Sequence, residues 1–139
     1  MLLRLKPIVL TFLLIWWLPF SVPLLAELLI SEALLQRIEN EYDSEARQRV
    51  EAWQILMQEN KDLTEREKLA VVNDFFNSNV LFVDDILLWD KEDYWATPIE
   101  MLSLGAGDCE DYSIAKYFTL KQLGVDEDKL RIIYVKAID

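Results

Sequence analysis

The chain has 139 residues, 25 of them acidic and 14 basic, for a net charge of −11, and 53% are hydrophobic. That length predicts one domain, and the apolar fraction argues against disorder. The charge argues against a nucleic-acid binder, which needs a basic face to displace counterions, and suits a soluble or cation-binding domain. A single cysteine leaves no intramolecular disulfide.

Residues 1–26, MLLRLKPIVLTFLLIWWLPFSVPLLA, carry two basic side chains and no acidic ones. A basic start followed by an apolar run is the pattern of an export signal, either cleaved or kept as a membrane anchor. The mature domain is therefore expected over 27–139.

From Glu27 to about Asn60, Leu34, Ile38, Tyr42, Ala46, Val50, Trp53 and Met57 recur at helical steps, and Asp43–Ser44 offers a cap that divides the stretch. Thr64-Glu65-Arg66-Glu67 has capping-box spacing and starts a helix carrying Leu69, Val72, Phe75 and Phe76, expected to fray at Asn77–Asn79. The segment NVLFVDDILLWDKEDYWA has no clean period and reads as a loop or short strand. Its tryptophans, like Trp53, read as packing residues. Thr97-Pro98-Ile99-Glu100 opens a short helix that Gly105 and Gly107 end. Asp108 caps the next helix, with Asp111 three residues on and Gly124 as its stop. Ile114, Tyr117 and Phe118, extended by Tyr112, Ala115 and Leu123, give it a wide apolar face and predict burial. Leu130–Ala137 is strand-like. A buried helix followed by one strand looks like the first part of an α+β domain.

Cys109 opens that helix. A helix N-terminus favours a thiolate, and the glycines before it allow close backbone approach. The same position also suits an inert packed cysteine. Asp108, Glu110 and Asp111 oppose the thiolate by charge, and no histidine is present to act as base. These carboxylates either cap and charge the helix, as spacing favours, or hold a hard cation such as calcium.

The run DYWATPIEMLSLGAGDCEDYSIAKYFTLKQLG, then KLRIIYVKA, with EARQRVEAW, LTEREKLAVVNDFFN and FVDDILLW upstream, resembles the bacterial transglutaminase-like cysteine proteinases, the LapG-type periplasmic proteases. The resemblance implies an α+β, papain-like or transglutaminase-like fold, here the N-terminal part with helices dominant. It implies Cys109 as nucleophile and calcium as cofactor, with Asp108 and Glu110 contributing ligands and Asp111 less firmly placed. It also implies a large surface adhesin as substrate, biofilm release as outcome, and an inner-membrane cyclic-di-GMP receptor as partner. The family's histidine and aspartate would follow YVKA, so this chain alone is expected to be inactive and to fold poorly. A non-catalytic binding module and a transglutaminase-type acyl transferase are the alternatives.

Overall fold

The computed structural model describes residues 30–135. The apolar segment 1–26 and residues 136–139 lie outside the described residues. Helix α1 (Glu32–Glu41) and helix α2 (Ser44–Glu59) are separated where Asp43 accepts the Ala46 N–H at 2.6 Å. The stripe holds for Ile38, Ala46, Val50, Trp53 and Met57, which are buried, whereas Leu35 replaces Leu34 in the core and Tyr42 is exposed.

Helix α3 (Glu65–Asn79) begins at the Thr64–Glu67 capping box, with both halves formed. It does not fray at Asn77–Asn79: the Asn79 side-chain amide donates to Phe75 O at 2.8 Å, supplying a donor to a late carbonyl. Val72 and Phe76 are buried, each burial worth about 1.5–3 kcal/mol, while Leu69 is exposed.

Strand β1 (Leu81–Phe82) and the single-turn helix α4 (Asp85–Leu88) fill part of the aperiodic segment. Helix α5 (Pro98–Leu104) starts at the Thr97–Glu100 capping box and ends at Gly105. Strand β2 (Ala106–Gly107) pairs in parallel with β1, Leu81 against Ala106 and Phe82 against Gly107. Helix α6 (Cys109–Gln122) follows, then a 3-10 turn, Glu127–Lys129.

α2 packs on α1 and α5, and α6 packs on α3 and α5, enclosing one hydrophobic core. Two polar links fix α6 in depth. Trp53 Nε1 donates to Thr119 Oγ1 at 2.8 Å, and Thr119 Oγ1 in turn donates to Ala115 O at 2.7 Å. Buried Lys68 donates to Leu123 O at 2.7 Å, placing its charge at the negative end of α6.

The buried side of α6 is Asp111, Ala115, Thr119 and Leu120. Ile114 and Tyr117 are half-buried and Phe118 is exposed, so the helix is buried on one side only, not all round. The β-branched run from Leu130 does not form the strand its composition predicts over the described residues. Arg131–Val135 is exposed and has no hydrogen-bonded neighbour strand, without which the backbone cannot form a ladder. Among the described residues, no helix is long and apolar enough to cross a membrane.

Candidate active site

The turn leading to Cys109 is shaped by what packs on its glycines. Gly105 has φ 68°, a conformation that a β-carbon disfavours. At Gly107 an added Cβ would lie 2.8 Å from Asp111 Oδ2 and 3.1 Å from Met101 Cγ. The second glycine thus makes room for a carboxylate of this chain.

Cys109 is the first residue of α6 and is exposed. Ser113 Oγ donates to the Cys109 carbonyl at 2.8 Å. A cleft of about 530 Å³ opens on one side of the cysteine, lined by Val80, Leu81, Phe82, Tyr112 and Lys116 among others. A second, of about 380 Å³, also reaches the cysteine, between Trp95, Glu110, Ser113 and the extended residues 132–135. Tyr112 is held in place by donating its hydroxyl to Val80 O at 2.6 Å. Cys109 thus borders both clefts.

Beside the cysteine lies a group of carboxylates. Asp85, Asp108 and Asp111 can each offer an oxygen so that all lie within 4.8 Å of one another, and Asp85, Asp93 and Glu110 can do the same. Asp108 and Glu110 therefore belong to two overlapping sets, joined by Asp85. Asp111 is firmly placed: Oδ1 accepts the Ala96 N–H at 2.7 Å, and Oδ2 accepts the Asp108 N–H at 3.3 Å. Asp85, only 2% exposed, accepts the Tyr94 N–H through Oδ2. Its Oδ1 is buried without a partner, and so is Asp108 Oδ1.

Burial raises the Asp108 carboxyl above its ordinary value, and the charges of Asp85 and Asp111 add to the rise. Glu110 is also raised, by burial first, then by its hydrogen bond to Asp108, which lowers Asp108 in turn, and by the charges of Asp108 and Asp85. Burial also raises Asp111, partly offset by the N–H groups of Ala96 and Asp108. Crowded oxygens, two of them orphaned, form a donor set that suits a hard cation. Asp85 and Asp93 join this group without any local motif in the sequence to mark them. Asp85 stands in the apolar context FVDDILLW, and a buried aspartate there requires partners.

A family model described as bacterial transglutaminase-like cysteine proteinase matches residues 40–139. The chain belongs to that family. Among solved structures, Legionella pneumophila LapG is 37% identical and superposes with a TM-score of 0.58, the match covering 72% of this chain and 55% of that one. LapG in its calcium-bound form matches with the same figures. The EGTA-treated form gives the same identity and TM-score, with 53% of its length covered. The chain thus spans about half the length of the LapG structures it matches. A search of curated proteins returned no match. The transglutaminase-like α+β fold expected from the sequence is the fold of these neighbours, here mostly helical with a small parallel sheet.

Proposed function

We propose that this chain carries the nucleophile of a calcium-dependent, periplasmic cysteine endopeptidase of the LapG type. Its substrate is the N-terminal region of a large surface adhesin, whose cleavage releases a biofilm, and an inner-membrane cyclic-di-GMP receptor restrains it. The observation that carries the reading is the exposed Cys109 at the head of α6, bordering two clefts and beside a carboxylate group with orphaned oxygens.

Cys109 Sγ attacks the scissile carbonyl carbon, forming the S–C bond of an acyl-enzyme as the C–N bond breaks. The N-terminal end of α6 favours the negative charge this requires. Asp85 with Asp108 and Asp111, or Asp85 with Asp93 and Glu110, are the residues that would hold calcium. When bound there, calcium offsets their mutual repulsion and their opposition to a thiolate. The departing amine needs a proton, and the thiol needs a base. The 139 residues include no histidine, the usual base for a cysteine nucleophile. The chain alone is expected to turn over no substrate. The same lack of histidine favours a second reading, a non-catalytic module that binds the adhesin or the receptor.

The experiment is the alkylation of Cys109 by iodoacetamide at neutral pH, with calcium and with chelator. Faster alkylation with calcium supports the proposal. Rates that ignore the chelator sink the link between cation and thiol.

A further inference from the structure

Arg49 projects from α2 into the end of α5, far from it in sequence. Its side chain is 18% exposed. Nε donates to Leu102 O at 2.7 Å and Nη2 donates to Ser103 O at 2.9 Å. These carbonyls belong to the last turn of α5, where a helix lacks donors of its own. The guanidinium also lies against Gly105: an added Cβ there would sit 2.9 Å from Cζ, 3.1 Å from Nε and 3.2 Å from Nη2. Its ion pair is minor by comparison, at 3.9 Å to a Glu45 side chain that is 80% exposed.

The opposite side of the same turn is held by β1, with Leu81 N–H donating to Gly105 O at 2.9 Å and Val83 N–H to Gly107 O at 3.0 Å. Between these supports the backbone runs from Gly105 through β2 to Asp108 and Cys109. The turn is gripped by α2 at its start, by β1 along its length and by Asp111 at its end.

We infer that Arg49 is a positioning residue for Cys109, fixing through the α5 carbonyls and Gly105 the turn that presents the thiol and the Asp108 carboxylate. The inference rests on the proposed function for the importance of that placement, but not for the placement itself. A planar guanidinium bridges two carbonyls and packs on a glycine at once, which a lysine ammonium does not. Arg47 makes the contrast on the same helix, since its guanidinium pairs instead with Glu32, Glu39 and Glu51.

The test uses the full chain carrying Arg49→Gln, Arg49→Lys or Arg47→Gln. The first readout is the calcium concentration that half-changes the Cys109 alkylation rate. Arg49→Gln is expected to raise it at least fivefold and Arg49→Lys at least twofold, with Arg47→Gln within twofold of wild type. A cooperatively folded Arg49→Gln protein with the wild-type midpoint overturns the inference. If Arg49→Gln does not fold, a wild-type midpoint in Arg49→Lys overturns it. If wild-type alkylation ignores calcium, the cation part of the proposed function fails and the second readout decides. That readout is the amide resonances of Gly105, Gly107, Asp108 and Cys109 in calcium-free protein. They are expected to shift in the Arg49 variants and stay in place in Arg47→Gln; unshifted resonances in the Arg49 variants overturn the inference.

Discussion

The Asp111 carboxylate accepts the backbone N–H of Ala96 at 2.7 Å, tying the first turn of the cysteine-bearing helix to the segment that leads into α5. Both groups are buried, so neither has water as a substitute partner. Asp111→Ala is expected to cost about 1–3 kcal/mol in chelator, because the Ala96 N–H is left unsatisfied. Asp111→Asn keeps an acceptor oxygen and is expected to cost less. Urea unfolding measures both, and a wild-type midpoint for Asp111→Ala contradicts this account of the tie.

Thr119 stands between Trp53 and Ala115 in a buried hydrogen-bond chain. Thr119→Val preserves the shape and strands the indole N–H, with an expected loss of about 1–3 kcal/mol by denaturant unfolding. Thr119→Ser retains the acceptor and should lose less. A wild-type midpoint for Thr119→Val would show that the hydroxyl contributes nothing and would contradict this account of the chain.

Gly105→Ala asks a β-carbon to adopt φ 68° and to displace the Arg49 guanidinium. The left-handed conformation alone costs roughly 1–2 kcal/mol for a residue with a β-carbon. Unfolding midpoints should fall accordingly, and Gly124→Ala provides a comparison, since its φ is 80° but nothing lies within 4 Å. A smaller loss at 105 than at 124 contradicts the packing argument.

The raised carboxyls of Asp108, Glu110 and Asp111 give a pH dependence with a definite sign. A carboxyl raised in the folded state holds its proton more tightly there than in the unfolded chain. In the absence of a cation, ionising these groups therefore weakens the fold as pH rises through their folded values. The weakening is lost as pH falls through those values toward the unfolded range of about 4. A bound cation competes with the same protons. Calcium should raise the melting temperature most at neutral pH, with the increment shrinking as acid protonates the group. An increment constant with pH would place the calcium elsewhere.

The helix starts were legible because each is written in a few adjacent residues. Asp43, Thr64 and Thr97 cap as their spacing predicts, and Gly105 and Gly124 take the positive φ expected of helix stops. The family pattern around Cys109 pointed to the fold class. Asp85 was not legible as a member of the carboxylate group, because only tertiary packing brings α4 against the start of α6. The exposed side of α6 was not legible for a similar reason: hydropathy marks both its apolar flanks, and which flank is covered depends on the neighbours that α3 and α5 supply. The run from Leu130 has the composition of a strand, but a strand also needs a partner that composition does not provide.

The most direct measurement joins this chain to the remainder of Legionella pneumophila LapG, replacing the matched part, and follows cleavage of an adhesin N-terminal domain with calcium. The account predicts cleavage by the chimera, none after Cys109→Ser, and none in EGTA. A soluble, cooperatively folded chimera that binds calcium yet leaves the adhesin intact, or one that still cuts it after Cys109→Ser, would contradict the assignment of Cys109 as nucleophile.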